Sequence, residues 1–484
     1  MNGKILKGLG IKPGPIFGVA ISVGQKLKAI GIPTNEIIEL LGDCYYNPAS
    51  FLDHEVLSEL AIKVTEENKV KEEMKQKDVK LNESPVQCEI WGQEGIDADT
   101  IQQMKTALHL EPAVVGALMP DAHLGYGLPI GGVLALDNAV SPYAVGMDIA
   151  CRMCLSIYKD DGSLIETNSD VLKRALTYET AFGVGASFKK LREHAVMDDG
   201  TWDLNNFARS MKEEAHNQLG SSGSGNHFAD FGIITIDADI DDLGVKKGQY
   251  LALVTHSGSR KLGHNICTKY SAIAKDICRL PDNAKNLAYL DLDTEAGLEY
   301  WELMNLAGRY AAANHELIHW KIAKAIGLQR LASFDNHHNF AWEEDYNGKR
   351  VIVHRKGATP AHKGALGVIP GSMADPTFLV RGLGNEKSIN SASHGAGRAM
   401  SRKVANNTIS RDAREKYLAD NNVELMSGGM DESPQAYKDI RKVMAAQSDL
   451  VEVLGQFKPR IVMMAGENTM RKGKKQDKTT SGGP

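Results

Sequence analysis

The sequence predicts a mixed α+β fold, on three observations. From Val86 to about Gly466, short apolar strand-like runs alternate with helical patterns without a regular βαβ rhythm. Glycine clusters punctuate those runs. One long helical stretch, Glu295 to Ile326, separates two glycine-rich halves. No internal repeat of the kind that builds solenoids or propellers is present. A chain of 484 residues with 42% hydrophobic content can bury a large core, in two or three ordinary domains or in one large domain with an appendage.

Taken in order, residues 1–65 read as a small helical appendage. Its helices are expected over Val19 to Ile30, over Asn35 to Leu41 after Pro33, and over Leu52 to Val64, where Leu57, Leu60, Ala61 and Val64 keep helical spacing. Residues 66–85, rich in Lys and Glu, read as a charged linker. The main body is expected over 86–470, and residues 471–484 as a disordered basic tail.

Composition narrows the function classes. No stretch approaches the roughly 20 apolar residues that span a bilayer, and the start MNGKILKGLG lacks the apolar segment of a secretory signal. A cytoplasmic location without a membrane partner is therefore expected. Six cysteines in so long a chain are too sparse for a disulfide framework, so a cysteine with a role is expected to act as a thiolate. Lys+Arg 56 against Asp+Glu 61 gives no global basic field, so an RNA partner would need a local patch.

Five motifs place metal ligands or anion-binding turns beside strand-like runs: Met119 to Gly127 (MPDAHLGYG), Gly146 to Met153 (GMDIACRM), Gly223 to Phe228 (GSGNHF), Thr255 to Arg260 (THSGSR) and Asn336 to Asn339 (NHHN). Asp148 and Cys151, three apart on a turn, can converge on one ion, and His227, His256 and His338 supply imidazoles. A thiolate, imidazoles and one carboxylate suit manganese or zinc better than magnesium or calcium. Taken singly, each has a plain structural alternative: an N-cap aspartate, a buried small cysteine, a satisfied core histidine. In the second half, Pro370 to Met373 and Ser393 to Arg398 are glycine-bearing turns, the latter expected to run into a helix through Met400 to Ala405 whose first amides face phosphate, with Arg398 and Arg402 on one face to add charge. His394 inside such a turn is suited to attack a phosphorus; a merely hydrogen-bonding histidine is the alternative. Arg355, Lys356, Arg381, Arg152 and Arg260 are candidates for a phosphate-binding surface.

In this order the motifs, with RKGATPA, PGSM and SHGAGRAMSR, resemble the RtcB family of RNA-splicing ligases over about residues 86 to 466. The resemblance implies an α+β fold of that type with a deep cleft for two manganese ions, held by Asp148, a bridging Cys151, His227, His256 and His338. It implies that His394 takes up GMP, and that Asn226, Asp230, His338, Asn339, Pro370, Gly371, Ser372, Met373, Thr377, Gly395, Ala396 and Gly397 surround the nucleotide. The implied activity is a GTP- and manganese-dependent joining of RNA 3′-phosphate or 2′,3′-cyclic phosphate ends to 5′-hydroxyl ends. Two other readings stay open: a metal-dependent RNA cyclic phosphodiesterase or phosphatase, and a silent RNA-end-binding protein. Whether an archease-like activator takes part is also open.

The chain departs from the family pattern at several points. Ala150 and Arg152 stand where the usual GVDIGCGM core has glycines, and Asp230 replaces a longer glutamate. Met463 to Gly466, with Ala465, replaces a terminal Val-Lys-Gly, so that Lys472 or Lys474 of the tail would have to substitute for its lysine.

Overall fold

A computed structural model describes residues 3–9, 11, 15–73 and 77–466. The tail expected over 471–484, with Lys472 and Lys474, lies outside the described residues, as does part of the charged run 66–85. Two compact units divide the chain, Met1–Lys77 and Asp78–Pro484. The first holds the helices Gly3–Gly8, Pro15–Ala29, Thr34–Tyr46 and Ser58–Glu73 around its own core, which includes Leu57, Leu60, Ala61 and Val64. The last helix begins at Ser58 rather than at Leu52. His54 Nδ1 accepts the amides of Val56 and Leu57, each at 3.2 Å, and so holds the chain in a turn before the helix can start.

The second unit is mixed α and β. A five-stranded sheet runs in the order Phe340–Tyr346, Lys349–Lys356, Ile130–Leu136, Ala113–His123, Cys88–Ile90. An eight-stranded sheet runs Arg330–His337, Arg152–Tyr158, Gly248–Ser257, Phe228–Ile236, Val451–Met464, Thr377–Gly382, Leu366–Ile369, with Glu424–Ser427 branching off parallel to Val451–Met464. That larger sheet curls until its edges nearly meet. Asn336 on one edge accepts the Val368 amide of the other at 2.9 Å and donates to Thr359 Oγ1 at 2.8 Å. The long strand Val451–Met464 shifts register between Pro459 and Ile461 against Phe228–Ile236, a bulge that strengthens the local bend.

Alternation along the strands gives the curled sheet two apolar faces. Met153, Leu155, Ile157, Ala252, Val254, Ile234, Leu379 and Phe457 fill the inside. Tyr158, Leu251, Leu253, Phe231 and Ala229 point outward and pack against Ile318 and Ile322 of the helix Glu295–Ile326. The bounds expected for this helix are those observed: Thr294 caps it by accepting the Gly297 amide at 3.1 Å, and Gly327 at φ 69° ends it. No described helix is long and apolar enough to cross a membrane.

Antiparallel pairing brings distant segments to one mouth of the curled sheet. Arg152 pairs with Ser257 and with His337, and Phe228 pairs with His256 and with Met464. Cys151, His227, His256 and His338 therefore lie at neighbouring strand ends although up to 187 positions separate them in sequence.

Candidate active site

At this mouth lies a cavity of ≈ 460 Å³, within the range of ligand pockets, roughly 300–1,000 Å³. Asp148, Cys151, Asn226, Asp230, His256, His338, Asn339, Pro370, Gly371, Ser372, Met373, Thr377, His394, Gly395, Ala396 and Gly397 all line it. His227 stands behind, bonded to two of them.

Cys151 Sγ lies 3.0 Å from His256 Nε2 and 3.4 Å from His227 Nε2. Asp148 Oδ2 is 2.8 Å from His227 Nε2, and His338 Nε2 is 3.2 Å from His256 Nε2. The far nitrogens are fixed by backbone: His227 Nδ1 faces Ser222 O and His256 Nδ1 faces Asn226 O, each at 3.1 Å. An imidazole that gives its single N–H to such a carbonyl turns a lone pair inward. Electron-pair donors thus crowd together with too few protons between them, which is the condition a cation relieves. Cys151, His227 and His256 could hold a metal ion, and thiolate with imidazole favours a transition ion over magnesium or calcium.

Electrostatics agree with ligation. Burial holds the His256 imidazole down at about 3, so it is neutral at ordinary pH. The Cys151 thiol is raised well above its usual range, by burial first and then by Asp148, so metal binding must expel its proton. Asp148 reaches the cluster because residue 258 is glycine: a Cβ there would strike its Oδ1.

His394 closes the other side. Its ring centroid is 4.8 Å from that of His338, and its Nδ1 lies 2.7 Å from Oδ2 of the fully buried Asp121. Gly397 permits this approach. Its φ is 72°, and a Cβ would strike the Asp121 carbonyl. The role of Asp121 escaped the sequence reading; the signal available was its place in the MPDAHLGYG motif, two residues before His123.

Against this geometry come the comparisons with known proteins. A family model described as "RtcB: tRNA-splicing ligase RtcB" matches residues 103–465. The chain belongs to the RtcB family. It is 33% identical over 397 residues to RNA-splicing ligase RtcB of Escherichia coli, covering 74% of this chain and 92% of that protein. It is 32% identical over 401 residues to tRNA-splicing ligase RtcB of Methanococcus maripaludis, 67% of this chain and 82% of that one. With RNA-splicing ligase RtcB of Mycobacterium tuberculosis it shares 31% over 422 residues, 72% of this chain and 96% of the relative.

Within this RtcB site, the structure corrects the expected arginine surface. Arg355 is fully buried and ion-paired with Glu344 at 2.5 Å. Arg381 pairs with Asp242 at 2.7 Å, Arg152 is held by Asp335, and Arg260 donates to Ser221 Oγ at 3.2 Å. Only Lys356 of that group lines the cavity, and its Nζ is taken by the carbonyls of Tyr126 and Tyr143. Arg398 and Arg402, expected to add charge beside the SHGAGR turn, do line the cavity, steadied by Asp431 and Glu432. The helix expected from Met400 starts at Arg402 and is capped by Ser401, so the SHGAGR turn is a loop and not a helix start.

Proposed function

We propose that the chain is an RNA ligase that uses GTP and manganese to join RNA 3′-phosphate or 2′,3′-cyclic phosphate ends to 5′-hydroxyl ends through a histidine–GMP intermediate. The observation that carries this reading is His394, held by Asp121 on one side and set at 59° against the ring of His338 of the metal-type cluster on the other. Asp148, Cys151, His227, His256 and His338 are the residues that would hold two ions. Bound manganese would supply charge stabilisation at phosphate oxygens and a more acidic water for opening a cyclic phosphate.

The chain's own groups account for the rest. A carboxylate can only accept, so Asp121 takes the Nδ1–H of His394 and leaves the Nε2 lone pair free. Nε2 then bonds to the α-phosphorus of GTP while the bond to the bridging oxygen breaks and pyrophosphate leaves. An oxygen of the RNA 3′-phosphate next takes the GMP phosphorus, which releases Nε2. The RNA 5′-hydroxyl attacks the activated 3′-phosphorus, loses its proton and expels GMP. Arg398 and Arg402 supply positive charge for the phosphates, and backbone about Gly371 and Gly395 lets them approach closely. Support for the RNA as substrate comes from the relatives, named as RNA- and tRNA-splicing ligases.

Incubation with α-labelled GTP and manganese is expected to give acid-labile label on His394, absent in His394→Ala. Cyclic-phosphate opening without such label would replace the ligase with a cyclic phosphodiesterase, and no metal uptake at all would leave an RNA-end-binding protein.

A further inference from the structure

The outward face of the curled sheet carries a second group of metal-type side chains, apart from the cavity. Cys154, His315 and His319 are all buried, and one ligand atom of each lies within 4.8 Å of the others. Their placement follows from two periodicities. Cys154 and Thr255 are cross-strand partners on the helix-facing side, the opposite side from His256. His315 and His319, four apart, share the face of the helix Glu295–Ile326 that covers them.

Both imidazoles are oriented from behind. His315 Nε2 lies 3.2 Å from Ser257 O and His319 Nδ1 lies 2.7 Å from Ser156 Oγ. The remaining nitrogens, His315 Nδ1 and His319 Nε2, both point at Thr255 Oγ1 at 2.8 Å. With Ser156 donating to His319 Nδ1, the links from His319 through Thr255 to His315 and Ser257 are complete without an ion, so an ion would replace the two links to Thr255. The Cys154 thiol has only a long contact, 3.8 Å, to Ser333 Oγ. One sulfur and two nitrogens are ligands of the kind zinc takes, the Thr255 hydroxyl stands beside both nitrogens, and outer hydrogen bonds are already in place. Zinc bonds of roughly 2.0–2.3 Å put ligand atoms about 3.5 Å apart, so the three side chains, within 4.8 Å of one another, would draw together on binding.

We propose that Cys154, His315 and His319, with Thr255 Oγ1 at the fourth corner, bind a separate structural zinc-type ion that fastens the long helix to the sheet. Burial keeps His319 neutral, down at about 3, the form that ligates. The site is independent of the ligase reading, because neither Cys154 nor the two histidines face the cavity.

The test is zinc content per chain, by elemental analysis of the full-length protein saturated with zinc and then desalted. Cys151→Ala protein is expected to retain one ion whose X-ray absorption shows a single sulfur ligand, and Cys151→Ala/Cys154→Ala protein is expected to lose it. Should Cys151→Ala not fold, Cys154→Ser and His319→Gln are each expected to bind one zinc fewer than the unsubstituted chain. Retention of no zinc by folded Cys151→Ala, survival of its ion after Cys154→Ala, or unchanged content in both Cys154→Ser and His319→Gln overturns the proposal.

Discussion

The ring of His394 has a buried carboxylate oxygen 2.7 Å from Nδ1, while the other oxygen of Asp121 is buried without a described hydrogen-bond partner. This carboxylate holds the histidine in one tautomer and one orientation. Asp121→Asn presents an amide that can stabilise the opposite tautomer, so the rate of label transfer from GTP is expected to fall on the order of 10⁴-fold with the fold retained. An unchanged rate would remove Asp121 from the mechanism. A second residue-scale expectation concerns Ala150, which sits at φ 54° beside Cys151. That conformation costs a non-glycine residue roughly 1–2 kcal/mol, and glycine gives back roughly 0.5–1 kcal/mol through its freer unfolded state. The fully buried Ala150 methyl is worth about 0.8 kcal/mol, so Ala150→Gly is expected to leave urea stability unchanged to within about 1 kcal/mol, and a loss of clearly more would show that the strain is not there.

Between elements, the strands Phe340–Tyr346 and Lys349–Lys356 are pinned by a buried ion pair. Arg355 is fully enclosed and donates to Glu344 through two nitrogens, to Ser391 Oγ at 2.8 Å and to Ile389 O at 2.8 Å. Burial pushes the Glu344 carboxyl up, yet the His362 hydrogen bond and the Arg355 guanidinium outweigh it and hold the group at about 2. Because the folded value lies below the unfolded one near 4.5, the contribution to stability is complete above about pH 4.5. It is lost as pH falls toward 2. Glu344→Gln is expected to flatten that part of the stability–pH curve. It also strands a buried guanidinium, at a cost of about 3–5 kcal/mol at pH 7, measurable as a lower urea midpoint. The same arginine shows why a basic motif misleads: RKGATPA looked like a phosphate surface until the strand pairing turned Arg355 inward.

For the whole molecule, the mouth of the curled sheet gathers ligand side chains from several strand ends, so an ion shared among them should stabilise the fold beyond the backbone pairing. Chelator-treated protein is expected to gain about 2.7 kcal/mol when manganese reaches a hundredfold excess over Kd, read as a higher Tm. A Tm indifferent to manganese would deny that Cys151 and its histidines bind it. The amino-acid sequence by itself determined the composition of this site: Asp148, Cys151, His227, His256, His338 and His394 stand in short motifs whose residue types declare their chemistry. It also determined the long helix, because Thr294 and Gly327 are local stop signals that act without distant partners. Only the tertiary structure decided that the larger sheet nearly closes, that Asp121 lies against His394, that Arg355 lies inside, and that Cys154 meets two histidines beneath the long helix. Each of these depends on pairing between segments far apart in the chain, where a shift of one residue in register would send every side chain to the opposite face.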